Sequence, residues 1–496
     1  MHHHPERHIL SKSTFMKGCQ CVKSLYLNKH QPKLKEKISV SQQALFDRGT
    51  SVGELARQLF PGGIDASPEF YYDYARSIEY TRQLIQDGQP IIYEAAFQFD
   101  GVLVAIDILA KENGVWKGYE VKSTTGVKET HLLDAALQYY VITQLGIDLN
   151  DMAIVHLNNQ YLRMGTLNVR GLFVMVSIKE EVKENQEFIA AKISELKEVL
   201  RLTEVPVVDI GPHCYNPYPC DFVGHCWQHI PQSSVFNLSN LRWKQQLELY
   251  HQGIIRFEDI TDDVELNDHQ RLQVNCHLNK TNYVDRHGIQ EFLSGLSYPL
   301  YFLDFETFNP AIPIFDHSRP YQQIPFQYSI HYKKHPEGEL RHTDFLALPN
   351  ADPRPAFIKQ LLSKTHMPGD ILTYNQNFEK TRLKELARDF PEYGYALEER
   401  IARIKDLMPP FQQRLYYTPE MNGAYSIKDV LPALVPELKY DDLPINNGSD
   451  ASLYFEQMIY DPTADLVTIR RNLLAYCKLD TLAMVKILEK LENEIR

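Results

Sequence analysis

The sequence predicts an α/β protein of two or three domains. Three observations carry this. Its 496 residues exceed what one hydrophobic core usually organises. Strand-like and helix-like runs alternate along both halves. The run "YFLDFETF" from Tyr301 is apolar enough for a buried strand, yet it sets Asp304 and Glu306 on the same side of it.

Composition bounds the classes. Hydrophobic residues make up 44%, charged 23% and aromatic 11%, an ordinary globular profile. No apolar run approaches ~18 residues, so no transmembrane helix and no membrane partner is expected. The start, "MHHHPERHIL", has no apolar signal core, and the cytoplasm is the expected location. The net charge of −12 does not advertise a nucleic-acid binder. The first forty residues nonetheless carry eight Lys/Arg against two acids, either a basic arm or a plain solvated face. An odd count of seven cysteines in a reducing compartment argues against a disulfide framework.

Taken in order, "IIYEAAFQF", "VLVAIDILA" and "WKGYEVKS" read as three strands, with turns at Asp100-Gly101 and Asn113-Gly114. A helix follows from about His131, and "GLFVMVSI" from Gly171 reads as a further strand. A charged helix is expected over roughly 184–202, then the loop "HCYNPYPCDFVGHCW". The polar, helical text from Ser233 to Gly295 reads as a connector; within it "LELYHQGIIRFEDI" has the form of a helical hairpin. A second α/β unit begins near Tyr298.

Three constellations carry chemistry. In the first, the hairpin sets Asp107 beside Glu120 and Lys122, which share a strand face. Two carboxylates can hold a divalent cation, and a nearby lysine can orient or deprotonate a water. An ordinary cross-strand Glu–Lys pair beside an unrelated Asp would give the same text. In the second, Cys214, Cys220 and Cys226 follow one another in one loop with five residues between neighbours, and Cys21 lies far upstream. Four thiolates suit a tetrahedral zinc or an iron–sulfur centre, and spacing alone does not separate them. In the third, Asp304 and Glu306 are joined by Glu379, early on a helix after the Asn375/Asn377 turn, and by Tyr476 and Asp480, four apart on one helix face. Four carboxylates and a phenol suffice for two divalent cations about 3.5–4 Å apart.

These patterns resemble known families. The first region resembles the PD-(D/E)XK nucleases of the RecB type: an acid (Glu94), Asp107 on a strand, Glu120-x-Lys122, then a helix bearing Gln138. The histidine many relatives carry on an early helix is not matched; "DRGTSVGELARQLF" offers Gly53, and residue 142, where a tyrosine is usual, is Ile. The cysteines resemble those of CRISPR-associated RecB-family and AddB-type nucleases, with one cysteine before the nuclease core and three after. That likeness favours Cys21, in "CVKSLYL", over Cys19, and a 4Fe–4S cluster over zinc. The C-terminal pattern resembles the Tyr-type DEDD 3′–5′ exonucleases of RNase H-like fold, with Glu379 where Asp is usual. "AYSIKDVLP" also resembles their Ser-Leu-Lys stretch.

The resemblance therefore implies a RecB-like nuclease domain (1–232), a helical connector (233–295) and an RNase H-like exonuclease domain (296–496). It implies Asp107, Glu120, Asp304, Glu306, Glu379 and Asp480 as ligands of Mg²⁺ or Mn²⁺, with Lys122, Glu94, Gln138 and Tyr476 as catalytic residues. The expected function is metal-dependent processing of DNA ends. An exoribonuclease, and a nucleic-acid-binding scaffold with one decayed site, are the alternatives.

Overall fold

The computed structural model describes residues 8–70, 73–440 and 443–496. The N-terminal His run, and with it the start of the basic segment, lies outside the described residues. The chain is mixed α/β with several sheets. Among the described residues, no helix is long and apolar enough to cross a membrane. Two compact units are formed. One runs to His229 and also takes in Pro310–Tyr321; the other comprises Ile230–Asn309 and Gln322–Arg496.

The first unit holds β1 (Leu10–Ser11), β2 (Ile64–Asp65), β3 (Ile91–Phe99), β4 (Val102–Glu112), β5 (Val115–Lys122), β6 (Leu149–Leu157) and β7 (Phe173–Ser177). They form one sheet in the order β2-β3-β4-β5-β6-β7, with β1 pairing parallel to β4. The hairpins β3–β4 and β4–β5 turn through Asp100-Gly101 and Asn113-Gly114, all four residues at positive φ. Such turns match the twist of the strands they join. Strands β5 and β6 are parallel, so a crossover is needed, and helix Glu129–Gln144 supplies it. Two apolar clusters pack this unit. One gathers Ile106, Leu109, Leu137, Val141, Ile193 and Leu196; the other gathers Val52, Ala56, Ile108, Tyr119, Val155 and Ala311.

Details depart from the sequence reading. Asp107 sits in the middle of β4, because that strand runs on to Glu112. The strand expected from Gly171 begins at Phe173, after a helical turn over Val169–Leu172. The charged helix expected over 184–202 is Gln186–Val199, and an unforeseen short helix, Lys179–Glu184, precedes it.

Segment 310–321 is the main departure in organisation. It follows the strand Leu300–Phe308 in the chain but packs with the first unit. Ala311 is buried there, Arg163 Nη1 donates to the Pro313 carbonyl at 2.8 Å, and the Gly165 amide donates to Asp316 Oδ1 at 2.8 Å. The Tyr321 hydroxyl donates to the Ser123 carbonyl.

The second unit holds β8 (Tyr283–Val284), β9 (Leu300–Phe308), β10 (Ile324–Lys333), β11 (Arg341–Leu346), β12 (Ile371–Thr373), β13 (Ile404–Asp406) and β14 (Tyr416–Tyr417). Its main sheet runs β11-β10-β9-β12-β13. Strand β9 is antiparallel to β10 and parallel to β12; β8 pairs with β14 apart from this sheet. The 233–295 stretch belongs to this unit. It holds helices Trp243–His251, Asp268–Asn279 and Arg286–Ser294 and a small core of Val235, Leu238, Phe257, Ile260 and Val274.

Candidate metal centres and active sites

Strand β9 is central in its sheet because both faces of "LYFLDFETF" are apolar enough to be covered, and only its acids break the pattern. Pairing with β10 sets Asp304 opposite Ser329 and Glu306 opposite Gln327. The same β10 residues anchor helix Leu466–Ile495. Gln327 Nε2 donates to the Leu473 carbonyl at 2.8 Å. Ser329 Oγ and His331 Nδ1 meet Thr481 Oγ1 at 2.7 and 2.8 Å. This fixes the face carrying Tyr476, Cys477 and Asp480, all buried. Cys477 Sγ lies 3.7 Å from Asp304 Oδ2.

Glu379 arrives from the other side of β9, beyond β12. Asn375 adopts a left-handed φ of 66°, tolerable for Asn. Asp406, ending β13, accepts from the Asn375 amide at 2.9 Å and the Gln376 amide at 3.1 Å. That turn launches helix Asn377–Asp389 with Glu379 in its first turn.

The electrostatics of this group are unbalanced. Burial, with Asp480, Glu306 and Glu379 near, pushes Asp304 well above the usual carboxylate range. Burial and Asp480 do the same to Glu306. Burial raises Glu379 to about 8 and Asp480 to about 7. Lys428 partly offsets the charge at Glu306 and Asp480; its ammonium sits 5.7 Å from the Tyr440 ring and 5.9 Å from the Tyr476 ring. Tyr440 donates its hydroxyl to Asp480 Oδ1 at 2.7 Å. The other Asp480 oxygen, and Glu379 Oε2, are buried without a hydrogen-bond partner. Buried carboxylate oxygens with no partner are costly unless a cation completes them. The donor set therefore fits a divalent ion. Asp304, Glu306 and Cys477 already offer ligand atoms within 4.8 Å of one another.

The first unit's group is arranged differently. The β3–β4 and β4–β5 registers carry Glu94 and Glu120 to the positions flanking Asp107. Glu94 has a left-handed φ of 52°, a strained conformation for a non-glycine residue in a strand. Asp107 Oδ2 accepts from the Val121 amide at 2.5 Å. Glu120 is buried and fully engaged. Its Oε1 receives Lys122 Nζ and Lys12 Nζ, each at 2.7 Å, and its Oε2 receives Gln138 Nε2 at 2.8 Å. Lys122 also reaches Asp134 Oδ2 at 2.5 Å. Burial would raise Glu120, but Lys12 and Lys122 outweigh it and hold the carboxyl below the usual range. Burial works against the charge on Lys122, yet Glu120 and Asp134 hold it raised. Asp107 is pushed up to about 8 by burial and Glu120. Glu94 is raised mainly by burial, with Arg57 Nη2 3.4 Å away in partial compensation. Asp107 and Glu120 fit a cation here if the Lys12 ammonium leaves Glu120, and the Lys12 side chain is only part-buried.

The cysteines form the third group. Cys21, Cys214, Cys220 and Cys226 line one cavity with Lys23, Ser24 and Phe222; Cys19 instead packs against the first unit's main core. Burial raises the Cys21 and Cys226 thiols, and the other cysteines of the group add to it. The loop is tied to the N-terminal helices by Gln20 Nε2 to the His213 carbonyl at 2.8 Å, by Lys17 to Asp221, and by Glu36 Oε1 accepting from the Gly224 amide at 2.6 Å. No three of the four sulfurs come within 4.8 Å of one another. Four thiols gathered at one cavity suit a metal centre, whether a single zinc ion or an iron–sulfur cluster.

Several neighbours escaped the sequence reading. Lys12 lies 108 positions from Glu120, and Tyr440 carries no pattern of its own. Asp134, four before Gln138 on the same helix face, was detectable by spacing. Lys428 stands inside the quoted "AYSIKDVLP".

Comparisons with known proteins reach part of the chain. A family described as a domain of unknown function, DUF2779, matches residues 301–426. That span includes Asp304, Glu306 and Glu379 and stops before Tyr476. The chain is 28% identical over 253 residues to an uncharacterized protein, UU173, of Ureaplasma parvum serovar 3, which covers 45% of this chain. The match spans 36% of that relative's length, well under two thirds of it.

Proposed function

We propose that the chain is a metal-dependent nuclease that processes DNA ends, with its principal active site around Asp304. One observation carries the reading: part-buried Asp304 and buried Glu306, Glu379 and Asp480 converge, two of their oxygens have no partner, and buried Tyr476 shares the helix face of Asp480. The strand order β11-β10-β9-β12-β13, with only β10 antiparallel to the other four, supports an RNase H-like assignment for this unit. The mixed sheet with Asp107 and Glu120-x-Lys122 on adjacent strands supports a PD-(D/E)XK-like assignment for the other. The four-cysteine cavity supports a 4Fe–4S cluster there.

Asp304, Glu306, Glu379 and Asp480 would hold Mg²⁺ or Mn²⁺, and Asp107 and Glu120 a further ion. A pair of such ions supplies charge neutralisation at the scissile phosphate and lowers the pKa of the attacking water. The chain's own residues do the rest. Tyr476, one turn before Asp480, orients the water by a hydrogen bond. Tyr440 fixes the Asp480 carboxylate. Asp406 positions Glu379 by holding its turn. Lys428 brings positive charge beside Glu306 and Asp480. In the first unit Lys122 orients the nucleophile, and Gln138 holds Glu120.

The test uses single strands of DNA and of RNA labelled at the 3′ or the 5′ end, with Mn²⁺ and protein bearing Lys122→Ala. The expected result is early release of the 3′ label from DNA, lost on Asp304→Asn. Preferential loss of RNA would turn the reading to a ribonuclease. Cleavage indifferent to Asp304→Asn would refute it.

A further inference from the structure

We propose that Cys477 gives a sulfur ligand to the cation held by Asp304 and Glu306, so that this position selects a thiophilic divalent ion of the zinc class over Mg²⁺. The inference rests on the reading of this group as a cation site and concerns which ion it takes.

The geometry is direct. Cys477 Sγ lies 3.7 Å from Asp304 Oδ2, and Asp304, Glu306 and Cys477 each place a ligand atom within 4.8 Å of the other two. On a tetrahedral zinc-class ion, bonds of about 2.3 Å to sulfur and about 2.0–2.2 Å to oxygen place S and O about 3.6 Å apart. The Cys477–Asp304 pair already meets that separation, and the remaining pairs, within 4.8 Å, close onto one ion by side-chain shifts of about 1 Å. Cys477 is three residues before Asp480, on the same helix face. Asp480 is itself buried, its Oδ2 has no partner, and its charge bears on both Asp304 and Glu306, so an uncompensated carboxylate oxygen stands beside the three donors. Glu379 Oε2 is likewise buried and unpartnered.

A buried cysteine most often serves as a small hydrophobe. Here its sulfur faces a carboxylate. Mg²⁺ takes six oxygens and gains little from sulfur, whereas zinc-class ions bind mixed oxygen–sulfur sets well. On coordination the thiol proton passes to solvent as the S–metal bond forms, and no oxidant or reductant is involved.

The test uses the full chain with Co²⁺ as a spectroscopic probe and Cd²⁺ in competition. The four cavity cysteines are present in every variant, so the readout is a difference. The parent minus Cys477→Ser, and the parent minus Cys477→Ala, should each show a thiolate-to-cobalt absorption band. Asp304→Asn should lose the same band. Cd²⁺ affinity at this position should fall at least about tenfold in both cysteine variants, with Mg²⁺ affinity within about twofold. Thermal melts of the two variants check that they fold. Identical cobalt spectra and equal Cd²⁺ affinities in folded variants would overturn the proposal. If Asp304-dependent DNA cleavage with Mg²⁺ persisted alongside that result, the nuclease reading would stand and the sulfur ligand alone would fall. A cobalt difference band without Asp304-dependent cleavage would do the reverse.

Discussion

Replacing Glu379 with Gln should make the metal-free protein more stable. Glu379 is buried, and burial lifts its carboxyl from 4.5 to about 8. At pH 7 the unfolded chain carries this group ionised, while the folded protein must take up a proton. Between 4.5 and pH 7 that uptake costs the fold about 3 kcal/mol, at 1.36 kcal/mol per pH unit. Gln has no such proton to take up. Its amide needs a partner in the slot where Glu379 Oε2 has none, which returns about 1 kcal/mol. The net gain at pH 7 is about 2 kcal/mol. The sign follows from the raised folded value. The penalty on the parent is absent below about pH 4.5, grows as pH rises, and levels off above about 8. Urea unfolding in EDTA, followed by far-ultraviolet circular dichroism at pH 5, 7 and 8, reads this directly. The advantage of Glu379→Gln should be small at pH 5, about 2 kcal/mol at pH 7 and larger at pH 8. Saturating Mn²⁺ should erase it, because the ion stabilises the parent through the carboxylate that the variant lacks. A variant no more stable than the parent at pH 7 in EDTA, or an advantage that does not shrink toward pH 5, would refute the reasoning.

Lys122→Ala, made in protein that already carries Asp304→Asn, should abolish the remaining cleavage and leave metal uptake nearly unchanged; isothermal titration with Mn²⁺ beside a nuclease assay separates the two. Tyr476→Phe removes one orienting hydrogen bond worth about 1–3 kcal/mol, so 3′-end degradation should slow roughly ten- to hundredfold with KM little altered. Cys214→Ala should give insoluble or protease-sensitive protein, and anaerobically prepared parent should contain iron and sulfide by elemental analysis. Zinc, or no metal, in that preparation would count against the cluster.

The legible part of the candidate site was the part that violates a local rule. Asp304 and Glu306 stand out because acids do not belong on a strand apolar on both faces. Asp107 and Glu120 stand out because a hairpin read from two turn dipeptides sets them side by side. The illegible part depends on distance in the chain. Lys12 neutralises Glu120 from a helix whose own text gives no reason to look there. Cys477 is one residue from the predicted Tyr476, but its meaning comes from facing Asp304, and only tertiary packing supplies that. The short helix Lys179–Glu184, just ahead of the expected charged helix, is about one and a half turns long and too brief for periodicity to reveal.

The return of segment 310–321 to the first unit bears on the order in which the protein can be finished during synthesis. The seat for Ala311 and the carbonyl that receives Tyr321 are both made by residues translated before His229. That unit is therefore left waiting for a piece of itself while about ninety further residues are added, roughly 5–20 seconds at ribosomal speeds. Through that interval the apolar surface around Val52, Tyr119 and Val155 is incompletely closed. A chaperone that shields nascent apolar surface would find its target there, and a message truncated shortly after residue 230 would yield a unit lacking part of its own core.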